Sequence, residues 1–319
     1  MNSTVQKIVL SSSAVAMSFA AAAAFAQSCP AGFPDKPVNF IVGYGAGGGT
    51  DLAARKVALT IEEMSGWTVV VDNKPGASGA VMATGVMGGD ADGYTVGVAT
   101  NTTMAIVPNQ RENIEFNYSD FGFIGTGMRL NYGLAALADR PYKTLEDFVE
   151  FARQNGRATV STGSASYQVA MEAVAETFGV EIVSIPTKGS SAALKDALGG
   201  HVDATVQGTV HVAQIEAGEM VQLATLTDTR ATYAPDAKTL SESGVDLSIE
   251  GHIVFFVNGD TPADLQSCLS ETFAAAVSSD SYTEFMTVQQ TTASNLGSVG
   301  TASFLADSDA FYKNYFTNQ

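Results

Sequence analysis

The chain has 319 residues, with 33 acidic against 16 basic side chains, a formal charge of −17. A nucleic-acid binder needs a large basic face, which this chain cannot build, and an anionic membrane surface would repel it. Charged residues are 15% of the chain and hydrophobic ones 45%, a globular composition with enough apolar material for one large or two ordinary domains.

Met1 to Ala26 carries one base, Lys7, then an Ala-rich apolar stretch without acids, ending Ala24-Phe25-Ala26. That pattern predicts a secretory signal peptide cleaved after Ala26, hence a periplasmic protein. Four serines, Ser11, Ser12, Ser13 and Ser18, interrupt the run and weigh against a membrane anchor. Cleavage leaves 15 bases against 33 acids, a charge of −18. The only two cysteines, Cys29 and Cys268, survive processing. An oxidising compartment favours a disulfide between them; a lipid-modified Cys29 is the competing reading, and Gln27 fits its recognition pattern poorly. Two cysteines make no tetrahedral zinc site, and His201, His211 and His252 lack ligand spacing, so no metal is expected.

From there short β-branched runs alternate with Ala-rich helical ones. Strands are predicted at Val38 to Val42, Thr68 to Val71 and Thr95 to Ala99. Helices are predicted at Asp51 to Ser65, closed by Gly66, and at Ser78 to Met87, after the turn Asn73-Lys74-Pro75-Gly76. The pattern restarts between Arg129 and Pro141. It continues with a helix at Thr144 to Gln154, N-capped by Thr144, a strand at Ala158 to Thr162 and a helix at Tyr167 to Phe178. Then come a strand at Glu181 to Ile185, a helix at Ala192 to Leu198 and a strand at Asp203 to Val206. After Val245 a strand at Ile253 to Val257 leads into helices at Ala263 to Val277 and Ser303 to Phe316. The expected fold is α/β with two mostly parallel sheets: lobe one from 27–128, lobe two from 129–250, and a return to lobe one over 251–319.

Gly43 to Asp51, GYGAGGGTD, follows a strand and opens a helix. Gly43, Gly45 and Gly48 satisfy GxGxxG, and Asp72 ends the next strand, as in a dinucleotide-binding fingerprint. Export, the capping pair Thr50-Asp51 and a second lobe with similar junctions argue against that use, and no cofactor is expected. Both readings share one physical content: glycines let backbone amides approach a ligand, and a helix N-terminus favours negative charge. Similar strand-to-helix junctions recur at Thr100 to Thr103, Thr162 to Ser166 and Thr187 to Ser191. In open α/β sheets such ends form the ligand crevice, so two lobes with facing crevices describe a clamshell that closes on an anion.

The ordered set of motifs resembles the exported substrate-binding receptors of tripartite tricarboxylate transporters, the Bug receptors. It comprises Pro34-Asp35-Lys36-Pro37, Gly47 to Asp51, Val69 to Gly79, Asp92-Gly93-Tyr94-Thr95, Lys188-Gly189 and Leu198 to Asp203. The resemblance covers nearly the whole mature chain. It implies a two-lobed periplasmic binding fold, type II-like, and a small carboxylate delivered to integral membrane subunits. It also implies that backbone amides, hydroxyls and water hold the carboxylate. In lobe one it nominates Tyr44, Gly45, Ala46, Gly47, Gly48, Gly49, Thr50 and Asp51, with Thr100, Asn101 and Thr102. In lobe two it nominates Thr162, Gly163, Ser164, Ala165 and Ser166, then Lys188, Gly189 and Ser190, and Asp203 and Gln207. Tyr44 stands where the family usually has Phe, Gly43 where it has Pro, and Thr187 where an aromatic is common. A monomeric, non-catalytic receptor is expected. A secreted enzyme or an exported nucleotide-dependent oxidoreductase using Gly43 to Gly48 is the alternative; Ser164 and Ser166 do not sit in Gly-x-Ser-x-Gly.

Overall fold

The computed structural model describes residues 29–317; the expected signal peptide, 1–26, lies outside them. Strands Val38–Val42 (β1), Val69–Asn73 (β2) and Thr95–Thr100 (β3) form a parallel core in the order β2-β1-β3. Between β1 and β2 runs the helix Gly49–Ser65 (α1). Its buried face, Ala53, Ala54, Val57, Ala58 and Ile61, recurs at helical spacing, and Gly66 at φ 75° ends it by donating to Glu62. Ala80–Met87 (α2) follows β2. The turn before it is not helical, because Ala77 and Ser78 have positive φ.

Phe121–Leu130 (β4) passes directly into Gly133–Leu137 (β5), the first strand of the second sheet. Glycines make β4 read as loop in sequence. In space Gly125 and Gly127 leave room for the rings of Phe273, Phe255 and Tyr282. Leu145–Asn155 (α3) is capped as expected, with Thr144 Oγ1 accepting from Asp147 N at 3.1 Å. Ala158–Thr162 (β6), Ala165–Phe178 (α4), Ile182–Pro186 (β7), Ser190–Leu198 (α5) and Ala204–Gln207 (β8) complete a parallel β7-β6-β8 unit. Met220–Thr225 (β9) closes the sheet in the order β7-β6-β8-β5-β9.

The chain then returns. Gly251–Asn258 (β10), buried at every residue, inserts between β3 and β4, antiparallel to both. Ala263–Val277 (α6), Asp280–Val288 (α7), the short Thr292–Ala293 (β11) and Gly297–Thr317 (α8) finish the first sheet, ordered β11-β4-β10-β3-β1-β2. The sheets are mixed rather than mostly parallel. Four strand pairings are parallel and five antiparallel: β5 and β10, which follow the crossovers, each run against both neighbours, and β11 runs against β4. Two segments join the lobes, β4 to β5 and β9 to β10. They are laced together by Leu226 N to Tyr132 O and Ile249 N to Leu226 O, both 2.8 Å.

Cys29 and Cys268 are bonded, tying the start of the described chain to α6 across 239 residues of sequence. That bond leaves Cys29 no free sulfur for a lipid. Replacing both cysteines by serine should lower the unfolding free energy by about 3–5 kcal/mol, read from chemical denaturation. An unchanged midpoint would show that the bond constrains nothing beyond a short tail.

Candidate functional site

The carboxyl ends of both sheets face each other, and a small cavity of about 30 Å³, partly open to solvent, lies between them. Lobe one lines it with Tyr44, Gly48, Gly49, Thr50, Thr100 and Leu130 among others; the second side carries Tyr132, Gly163, Ser164, Tyr167, Ser190 and Gly208. No lining residue is charged. The helices α1, α4 and α5, of 17, 14 and 9 residues, all present their N-termini here. First-turn amides have no acceptor within their own helix, so each N-terminus offers N–H donors and the positive end of a dipole.

The glycine loop is held by Asp51. This carboxylate is buried; Oδ2 accepts from Gly47 N at 2.8 Å and Arg55 Nε at 3.1 Å, and Oδ1 from Asn73 Nδ2 at 2.9 Å. Burial alone would raise its pKa, but Arg55, the Gly47 amide and Asn73 hold it below the ordinary carboxylate range. Asp51 therefore shapes the loop, with its acceptor sites already filled. Gly47 sits at φ +75°, where only glycine is unstrained. Asn73 also donates to Tyr44 O at 3.0 Å, joining the loop to the end of β2.

Several nominated residues bridge the lobes, and of these Gly45 also lines the cavity. Gly45 N donates to Lys188 O at 2.9 Å, so this amide and the Lys188 carbonyl join lobe to lobe, while the Lys188 residue is exposed. A Cβ on Gly45 would lie 3.0 Å from that carbonyl, and one on Gly189 3.2 Å from Gly45 N. Thr102 Oγ1 donates to Ser166 Oγ at 3.0 Å, and Ala165 N to Ser78 Oγ at 3.0 Å. Asn101 braces the crossover, donating to Glu250 O and accepting from His252 N. Thr162 and Gln207 are buried behind the wall, with Thr162 Oγ1 and Gln207 Oε1 unpartnered by protein. Asp203 lies at the far end of β6, accepting from Thr159 N and Oγ1 at 2.8 and 2.7 Å. Ala46 and Gly47 stay outside the lining.

Sequence reasoning did not nominate Leu130, Tyr132, Tyr167, Gly208 or Ser78. Tyr132 and Tyr167 pack edge to face, centroids 5.1 Å apart. Tyr44 OH sits 2.9 Å from Thr100 Oγ1 and 3.2 Å from Thr103 Oγ1, and donates toward Ser78 O at 3.1 Å. Burial raises the pKa of all three phenols, so they stay protonated and neutral. The cavity is thus a set of neutral donors around a space with no cation, no general base and no thiol.

A family description, the tripartite tricarboxylate transporter family receptor, matches residues 53–315. The chain belongs to that family. A UPF0065 protein of Bordetella pertussis is 30% identical over 278 residues, covering 85% of this chain and 84% of its own. The periplasmic binding protein BugD has the same fold with a TM-score of 0.84 at 24% identity, over 90% of this chain and 98% of BugD. An R. palustris protein solved with adipate matches with a TM-score of 0.81 at 25% identity, over 88% of this chain and 96% of that one. The fold is therefore that of the two-lobed periplasmic binding proteins. The chain is a solute-binding receptor, not an enzyme, and its family's receptors are periplasmic.

One buried group beside the site sets an acid limit. His211, three residues after Gly208, is fully buried with Nε2 3.0 Å from Gln222 Oε1, and burial pushes its pKa down to about 4. The unfolded chain takes up this proton first. Stability should therefore be whole above about pH 6.5 and decline as pH falls to 4, by on the order of 3 kcal/mol from this group. Below that range Asp51 adds a further loss as its depressed carboxyl protonates. Denaturant midpoints of wild type and His211→Gln across pH 4–7 check this; equal slopes would show that His211 is not neutral in the fold.

Proposed function

We propose that the receptor captures a small di- or tricarboxylate, or a related organic acid, by closing its lobes on it, and delivers it to the integral membrane subunits of a tripartite tricarboxylate transporter. The observation that carries this is the convergence of three helix N-termini on a cavity without a charged side chain. Unpaired amides and dipoles favour an anion at each end by about 0.3–1 kcal/mol, up to about 2 when partly buried. Hydroxyls of Thr50, Thr100, Ser164 and Ser190 add short neutral donors. The adipate seen on a relative fits this chemistry. The same reading takes the chain as exported, cleaved after Ala26 and acting as a monomer in the periplasm. Residues 27–128 and 251–319 form lobe one and 129–250 lobe two; strand membership of the two sheets supports this division except that β4 carries the first sheet on to Leu130. Among the described residues no helix is long and apolar enough to cross a membrane. A dinucleotide has poor access to the glycine loop, since Gly45 N already meets Lys188 O.

Melting-shift measurements over mono-, di- and tricarboxylates, with NAD as control, test the reading. A carboxylate at one hundred times its Kd should add about 3 kcal/mol of stability, roughly 5–10 °C in Tm. Tight NAD binding with no carboxylate binding would overturn it.

A second expectation concerns the donors. With neutral groups, Kd should change little with salt or between pH 6 and 9, then rise as the ligand's own carboxyls protonate near pH 4–5. Gly48→Val should fold, because a Cβ there meets only Gly45 O at 3.4 Å and Ser191 Oγ at 3.7 Å. It should nonetheless weaken binding at least about tenfold by covering the loop amides. A steep salt dependence, or an unaffected Gly48→Val, would move the site elsewhere.

A further inference from the structure

Gly76 to Gly79 hold four successive positive φ angles, +159°, +48°, +52° and +92°, and the middle two belong to Ala77 and Ser78. L-residues avoid this region, and such strain persists only where the surroundings enforce it. Here the enforcing contacts come from both lobes. In lobe one, Ser78 O accepts from Thr103 Oγ1 at 2.7 Å and from Tyr44 OH at 3.1 Å. Across the cleft, Ser78 Oγ accepts from Ala165 N at 3.0 Å.

Ala165 is the first residue of α4, and the helix's own N-cap, Ser164, makes no side-chain cap bond. Ser164 Oγ instead lies 3.2 Å from Ser166 Oγ, which is the acceptor of Thr102 Oγ1. A lobe-two helix therefore receives its cap from lobe one. The residues beside that cap, Ser164 and Tyr167, line the cavity.

We propose that Ser78 is a positioning residue of the ligand site: a trans-lobe N-cap that seats α4 only when the lobes are closed. This rests on the cleft being the carboxylate site. Its Oγ fixes the lobe-two donors and its carbonyl fixes the Tyr44 hydroxyl, so one strained residue couples closure to the arrangement of donors on both walls. The strained turn is what aims the hydroxyl across the cleft.

The test separates the cap from the ligand. Thr102→Cys with Ser166→Cys, whose side-chain oxygens are 3.0 Å apart across the lobes, should cross-link the closed form on oxidation. In that locked protein Ser78→Ala should speed amide exchange at Ala165 at least about tenfold while Val160 in β6 is unchanged. Ser78→Gly should do the same yet keep or raise Tm, because it relieves the positive φ; a merely structural residue would move both together. In the unlocked protein both variants should raise the Kd for adipate about fivefold, the worth of a cap. Equal Ala165 exchange in the locked proteins, or failure of the cysteines to cross-link, overturns the proposal. If adipate and the rest of the carboxylate panel bind none of the proteins, the carboxylate reading fails, and Ala165 exchange still decides the cap.

Discussion

On the proposed reading, an anion held between the two lobes exchanges its hydration for donors that are already in place, with no cation in the cavity lining. That constraint explains much of the local structure. Amides can serve as donors only if the backbone comes close, which places glycines at 48 and 49, and again at 163 and 208. Gly163 is the tightest case: a Cβ there would lie 2.5 Å from the Gly189 carbonyl carbon and the Ser190 amide. The second lobe's two loops can touch only because that side chain is absent. Amides also need a helix behind them to orient them, which is why the loops open directly into α1, α4 and α5.

Asp51 shows how an acidic chain keeps negative charge from opposing its ligand. A bare carboxylate beside the loop would repel the anion. Instead, both oxygens face inward onto Gly47, Asn73 and Arg55, and the ion pair with Arg55 Nη2 is 2.9 Å long. Arg55 is half exposed, so its charge serves Asp51 and the solvent, not the cavity. The remaining acidity of the chain sits on the outer surface, where salt screens it within about 8–10 Å. Net charge therefore ruled out nucleic acid while saying little about the cleft.

The elements most legible in the sequence were those with local signals. β1 and β6 fall at the expected residues, and α3 starts at its Thr144 cap. β4, β5 and β9 were not legible. Their glycines, alanines and isolated polar residues carry no clean alternation, and they are strands because aromatic rings and neighbouring strands fill the space around them. The glycine loop and the other junctions marked the cleft, since the ends of strands are where such loops meet. The division of labour within it was hidden. Gly45 and Lys188 act on each other, and Asp203 lies a strand's length away. Tyr132 enters from the β4–β5 crossover and Tyr167 from the first turn of α4. The Gly45–Lys188 pairing depends on residues 143 positions apart meeting across two sheets, which spacing does not encode.

Neutral contacts also suit a receptor that must release what it binds. The direct bonds across the cleft are Gly45 to Lys188, Thr102 to Ser166 and Ala165 to Ser78, with Gln290 meeting Glu216 at the rim. None of these four is an ion pair; among the described residues the exposed pair Arg129–Asp228 joins β4 to the segment after β9, outside the cavity lining. A hydrogen bond contributes about 0.5–1.5 kcal/mol net, so these few give closure only a few kcal/mol before the ordering of two lobes is subtracted. That places open and closed forms within reach of each other, the range in which a ligand with differential affinity shifts the population. A cleft clamped by buried salt bridges would resist opening far more strongly, because parting them would strand desolvated charge. With amides, hydroxyls and glycines on both walls, water can replace every contact as the lobes part. On the proposed reading, the features that let an acidic protein hold a carboxylate are thus the ones that let it give the carboxylate up.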